Sequence, residues 1–416
     1  MKKILFFALI LSSSITLGQK YDYGTNMPLE NYNFVLGTNS FPPKYQFSND
    51  SKLIEQAKQT RALGSNIFKT TISERVLKDY NYKASDASTI MDIIKLVPDF
   101  DKTFEMDFKY YFFWVHTATG IKWKAGISKQ DEKRLYNEMF DFTTYMLTKY
   151  NNSGKTFMIG NWEGDWLLHG EGKRDSTPSK EAVDNMTKWL QIRSRAIADA
   201  KKKSKSTNVE VYYYVEVNLA VKGMNGGTCI TSHILPNIDV DFVSYSSYES
   251  SKKKDYAANR ASLTKVLNYI ESQLKPKEGL PFKRRVFIGE YGGHAFDDKP
   301  ETHLKQFDNV KDIMQISLEE DLPFALHWQL YNNEYEKDQS AASKNMSLIN
   351  EKGQKRPMYY LHQNYYSKLN DYLKAYKDKN DVYPTQEEFK VEALKVLENV
   401  YQELRPTVIP SLAVKP

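Results

Sequence analysis

Asn33-Phe34-Val35-Leu36-Gly37-Thr38-Asn39-Ser40-Phe41-Pro42-Pro43 opens the segment that decides the fold, and residues 51–69 complete it. Residues 33–37 form a short β-rich run. Residues 51–63 follow with helical character, capped by Asp50 and stopped by Gly64. Asn66-Ile67-Phe68-Lys69 then starts a second β-rich run. The order is strand, loop, helix, strand. An open doubly wound sheet usually carries a glycine-rich phosphate loop after its first strand, and residues 38–43 contain no such loop.

The same unit recurs along the chain. Residues 108–115, 156–160, 209–217, 240–245, 285–289 and 323–330 read as six further strands. Between them lie helical stretches: residues 130–150, and a segment starting at Thr177 with Pro178 at its first helical position. Val183, Met186, Leu190 and Ile197 share one face of that segment. Leu263, Val266, Leu267, Ile270 and Leu274 make another stripe, and Phe307, Val310 and Met314 a third. Residues 358–373 and 387–404 supply closing helices. Strands alternating with helices predict a parallel α/β fold, and eight of them predict a closed (β/α)8 TIM barrel.

The termini lie outside that pattern. Lys2 and Lys3 precede an uncharged apolar run, residues 4–11, and a small, polar stretch ending at Gly18. This is the layout of a secretory signal peptide, and the run is too short to span a bilayer. The expected organisation is a signal peptide over 1–18, a catalytic barrel over 19–380 and a C-terminal helical extension over 381–416, packed on or near the barrel. The expected location is secreted or periplasmic, with no membrane span.

Composition narrows the function. Cys229 is the single cysteine, which excludes an intramolecular disulfide and a multi-thiolate metal site. The net charge of +6 is spread over 58 basic and 52 acidic residues, so no clustered basic face argues for nucleic acid. The seven histidines form no close pair of the kind a zinc hydrolase carries, and no Gly-x-Ser-x-Gly elbow marks an esterase. No cofactor and no metal are expected, and no feature defines an oligomer. The chain is rich in aromatics, with 29 Tyr, 21 Phe and 6 Trp. These can fill a core or stack on the apolar faces of sugar rings.

In a barrel of this type the site lies at the C-terminal strand ends. The fourth strand ends Gly160-Asn161-Trp162-Glu163-Gly164-Asp165-Trp166, and the seventh ends Ile288-Gly289-Glu290-Tyr291-Gly292-Gly293. Strict alternation puts Glu163 on the face of Phe157, Ile159 and Asn161, and Glu290 on the face of Val286 and Ile288. Those faces are expected to fill the barrel interior, with a carboxylate above each. Two carboxylates at a barrel mouth suit glycoside hydrolysis: one protonates the leaving oxygen, the other attacks the anomeric carbon or activates water. Asp165 and Glu216 are the alternative acids.

These strand ends resemble those of the clan A glycoside hydrolases, the superfamily that includes family 5 cellulases and mannanases. The resemblance implies Glu163 as acid/base and Glu290 as nucleophile of a retaining hydrolase, expected to act in endo mode on a β-linked poly- or oligosaccharide. It extends to Lys69 on the second strand, His116 after the third, Tyr245 on the sixth and the platform tryptophan Trp328 in His327-Trp328-Gln329. Asn161, Trp166 and His294 complete the expected substrate-binding set. One departure is plain: the clan's asparagine immediately precedes its acid/base, whereas Trp162 separates Asn161 from Glu163. Trp123, in the loop after the third strand, is a candidate to extend the groove. A non-catalytic glycan-binding barrel is the competing function.

Overall fold

The computed structural model describes residues 36–41, 45–118, 120–170, 173–296, 298–333 and 345–413; the expected signal peptide lies outside them. Eight parallel strands form the centre: β1 (Leu36–Thr38), β2 (Ile67–Ile72), β3 (Tyr110–Val115), β4 (Thr156–Gly160), β5 (Glu210–Val217), β6 (Phe242–Ser246), β7 (Val286–Tyr291) and β8 (Ala325–His327). Their order is β1-β8-β7-β6-β5-β4-β3-β2. The ring closes between β1 and β2, where the Ser40 amide donates to the Lys69 carbonyl at 2.9 Å beside an Asn39–Lys69 bridge. The molecule is a (β/α)8 barrel.

Long helices follow most strands: Lys52–Leu63, Lys129–Lys149, Lys180–Lys203, Tyr256–Ser272, Pro300–Glu319 and Pro357–Asn380. After β5 the chain makes no long helix but the short helix Ala220–Met224, a π-helical turn, Ile230–Ile234, and a 3-10 turn, Leu235–Asn237. Two caps differ from expectation. Ser51, not Asp50, receives the Ile54 amide at 3.3 Å, because Asp50 is engaged by Lys58 at 2.7 Å. Ser179, not Thr177, starts the long helix Lys180–Lys203 that follows β4 and a short helical turn, accepting from the Ala182 amide at 3.1 Å. Gly64 ends the first helix at φ 105°, as a left-handed stop requires.

Two cores separate cleanly. Ile67, Tyr110, Phe112, Met158, Tyr212, Tyr214, Phe242, Phe287, Phe324 and Leu326 fill the barrel interior. Phe112 packs edge-on against Phe324 and Phe287, with centroids 4.9 and 5.4 Å away. Such edge-to-face contacts add to the burial of each ring. Large rings fit because small residues face them: a Cβ on Gly160 would stand 2.2 Å from the Tyr214 ring. Much of the aromatic excess is therefore structural. Phe157, Ile159, Val286 and Ile288 lie in the other core, between sheet and helices. The interior faces are thus the opposite of those expected from simple alternation.

The C-terminal helix Gln386–Leu404 packs on Pro357–Asn380 and Pro300–Glu319, burying Phe389, Ala393, Val396, Leu397 and Val400. Among the described residues, no helix is long and apolar enough to cross a membrane.

Candidate active site

The strand ends open into a cleft of about 1220 Å³, lined among others by Trp114, His116, Trp162, Glu163, Tyr248, Glu290, His294 and Trp328. Both expected glutamates reach it, each through a local irregularity. On β7 the register steps from Tyr245–Ile288 to Ser246–Glu290 on one side, and from Ile288–Ala325 to Tyr291–His327 on the other. One extra residue in β7 makes a bulge, which re-aims the side chain that follows. Gly289 faces the interior, where a Cβ would stand 1.7 Å from Ser244 Oγ, and the next residue, Glu290, also lines the cleft. Tyr291 then turns outward against His327.

At β4 the chain leaves the strand after Gly160 and turns into the short helix Gly164–His169. Glu163 caps that helix at φ 26° and ψ 69°, a left-handed conformation for a residue with a side chain. The turn places Trp162 and Glu163 together on the cleft wall. The Glu163 carboxylate accepts from Asn218 Nδ2 at 3.2 Å. Its amide donates to Glu216 Oε1 at 2.9 Å.

Glu290 is only 3 % exposed. Burial, then the charges of Glu163 and Glu216, push its carboxyl well above the usual range. Lys69 and a hydrogen bond from Tyr248 oppose that rise. A charge on Glu163 thus favours the protonated form of Glu290.

The remaining expected residues divide. Trp328, His116 and His294 line the cleft, and the Trp328–Gln329 peptide is cis. Trp328 leans on Phe41 at 5.4 Å and on Trp114 at 6.1 Å, so three aromatic rings make one floor. Lys69 is fully buried below that floor, 3.2 Å from Glu216 Oε2 and 4.5 Å from the centroid of Trp114. Tyr245 does not reach the cleft. It points into the outer core, its hydroxyl 2.9 Å from Ser250 Oγ, because alternation within regular β6 sends Ser244 inward and Tyr245 outward. Tyr248, on the turn after β6, takes its place. Asn161 is buried behind the cleft wall, with Nδ2 on the Trp162 carbonyl at 3.4 Å, and Asn218 makes the contact to Glu163 instead. Trp166 is half-buried on the short helix, where Leu167 supplies the lining. Trp123 stacks on Trp189 at 5.9 Å and does not line the cleft.

The alternative acids are both spoken for. Asp165 accepts the amides of Asn218, Leu219 and Ile230 at 2.7, 3.0 and 2.8 Å, tying three segments together. Glu216 has no exposed surface. Trp114 escaped the sequence reading although a signal existed: it precedes His116 by two residues and shares its face. Tyr248 and Tyr245 both stand near the end of the sixth strand in a tyrosine-rich chain, and no local signal chose between them. Among the described residues, no group of three His, Cys, Asp or Glu side chains could hold a metal ion.

The sequence matches no family model and no curated protein. Solved structures match the fold: the chain shares an eight-stranded parallel barrel with solved family 5 glycoside hydrolases. A GH5_18 protein from Bifidobacterium longum, solved with Manb1-4GlcNAc, aligns at 13% identity and TM-score 0.51, over 82% of this chain and 78% of that one. A broad-specificity GH5-4 endoglucanase from Clostridium longisporum aligns at 12% identity and TM-score 0.49, over 91% and 100%. Bacteroides uniformis β-glucuronidase 2 aligns at 10% identity and TM-score 0.49, over 80% of this chain but only 34% of that longer one.

Proposed function

We propose that this chain is a secreted, retaining glycoside hydrolase that cleaves β-linked poly- or oligosaccharides in endo fashion. The observation that carries the reading is the convergence of Glu163 and Glu290, from opposite arcs of the barrel, on one cleft floored by Phe41, Trp114 and Trp328. Glu163 protonates the leaving oxygen, and Glu290 attacks the anomeric carbon to form a glycosyl ester. Glu163, now ionised, takes a proton from the incoming water, which releases the sugar with its original configuration. Tyr248 and Lys69 favour the ionised form of Glu290, the form that attacks. Trp328 and Trp114 offer apolar faces to the sugar rings, while His116 and His294 stand at the rim to contact hydroxyl groups.

The test is hydrolysis of a panel of β-glucans, mannans, xylans and galactans by residues 19–416, with Glu290→Gln alongside. Cleavage is expected from the unaltered protein and at least about 10³-fold less from the variant, by analogy with the loss of other activated nucleophiles. Proton NMR of the first product should show the β anomer. Cleavage that survives Glu290→Gln would refute the two-glutamate assignment, and binding without any cleavage would identify a glycan-binding barrel.

A further inference from the structure

Glu216 is not needed as an acid or a nucleophile, yet it has the densest set of partners in the site. It stands on β5 with its side chain inside the barrel and no exposed surface. Oε2 accepts from Lys69 Nζ at 3.2 Å, Trp114 Nε1 at 3.1 Å and Ser244 Oγ at 3.0 Å. Oε1 accepts from the Glu163 amide at 2.9 Å. These partners come from β2, β3, β6 and the turn after β4. An ammonium, an indole N–H and a backbone amide can only donate, so three of the four partners need an acceptor oxygen from Glu216.

Each partner touches the reaction centre in a different way. Lys69 spans Glu216 and the Gly289 carbonyl, one residue from Glu290, at 3.2 and 3.3 Å. Trp114 floors the cleft. The Glu163 amide belongs to a residue in the left-handed region, where a side chain costs energy and outside contacts must hold it. Gly289 completes the design, because a Cβ there would collide with Ser244 and stand 3.5 Å from Glu216 Oε2.

We propose that Glu216 is a positioning residue for the hydrolysis: its fixed negative charge holds the Glu163 turn, the Trp114 floor and the Lys69 ammonium in register around Glu290. The proposal rests on the two-glutamate reading above. Glu216 does not contact the sugar and transfers no proton. It acts on Glu290 through space and on Glu163 through the backbone.

The sign of its effect is fixed by its surroundings. Glu290 is faced by Glu163 from the turn after β4, Glu216 from β5, Lys69 from β2 and Tyr248 from the turn after β6, with Lys252, His116 and His294 further along the walls. Glu216 repels a negative charge on Glu290 and Lys69 attracts one. Glutamine keeps a carbonyl oxygen to accept from Lys69, which also stays bonded to the Gly289 carbonyl, so Glu216→Gln removes the repulsion while Lys69 keeps its place beside Glu290, and Glu290 ionises at lower pH.

The experiment measures kcat and KM against pH for the unaltered protein, Glu216→Gln and Ser244→Ala, and follows Glu290 directly by a 13C NMR titration of carboxyl-labelled protein, assigned with Glu290→Gln. For Glu216→Gln we expect kcat to fall about 10²-fold or more with KM within about threefold, as when alignment is lost at a distance. The acid limb and the Glu290 midpoint should both move to lower pH. Ser244→Ala removes one donor and one hydroxyl, and should lower kcat several-fold at unchanged KM; it carries the test if Glu216→Gln does not fold. An unmoved acid limb and midpoint, or a loss confined to KM, would overturn the proposal. If the unaltered protein cleaves no β-glycan, the hydrolase reading fails by itself. The NMR midpoint then decides for Glu216: a downward shift in Glu216→Gln sustains its grip on Glu290, and no shift ends it.

Discussion

At the level of single residues, the proposed role of Glu290 sets stability against activity. Its carboxyl is almost wholly buried, and burial with two neighbouring carboxylates raises its proton affinity in the folded chain. A raised folded value means the group stabilises the fold below its unfolded value, and that contribution is lost as pH rises through the folded value. Glu290→Gln stays neutral throughout. The variant should therefore match the unaltered protein near pH 4 and gain on it steadily towards pH 8, by about 1 kcal/mol, while losing hydrolysis. Thermal unfolding at several pH values checks this. A variant less stable at pH 8 than the unaltered protein would show that Glu290 is held ionised at no cost. Lys69 and Glu216 are the counterpart: a buried pair whose value lies in placement, since such pairs add little net stability.

Strands carry the next lesson, because their regular and irregular parts do different work. The regular parts alternate large rings with small gaps. Gly160 is one such gap, and Gly160→Ala would force a methyl to within 2.2 Å of the Tyr214 ring. A loss of about 1–3 kcal/mol is expected in chemical denaturation, with the midpoint lowered and the slope unchanged. A neutral substitution would mean that Tyr214, hydrogen-bonded to the Phe113 carbonyl at 3.3 Å, can swing away. The irregular parts shape the cleft. Alternation along β4 and β7 pointed to two glutamates that both line the cleft but gave the strands the wrong faces; the bulge after Ile288 and the left-handed turn at Glu163 are what bring both carboxylates there. Tyr245 was misplaced for the converse reason: β6 stays regular there, so its alternation holds.

For the whole molecule, the closing elements depend on distant contacts. The Tyr366 hydroxyl donates to the Leu36 carbonyl, joining the helix Pro357–Asn380 to β1. Outside it, Gln386–Leu404 covers apolar side chains of that helix and of Pro300–Glu319. Full burial of residues such as Phe389, Leu397 and Val400 is worth about 1.5–3 kcal/mol each. Truncation after residue 381 should thus lower the melting temperature and increase binding of a hydrophobic dye. An unchanged melting temperature would make the C-terminal helix a separable appendage.

The sequence by itself determined the eight strand-helix units, the barrel they form and the two strand ends that carry glutamates. Those features are local: hydrophobic period, capping residues and glycine stops act over a few positions, and each is written where it acts. It also marked Trp328, His116 and His294 as cleft residues, since each directly ends or follows a strand. Which face of each strand turns inward was decided only by tertiary structure, because β-rich runs buried on both sides, such as Tyr110–Val115, carry no polar side to break the symmetry. The same holds for the substitution of Tyr248 for Tyr245, of Asn218 for Asn161, and for the partners of Glu216. These depend on register between strands far apart in the chain, where one extra residue in β7 redirects a side chain and no neighbouring residue records the shift.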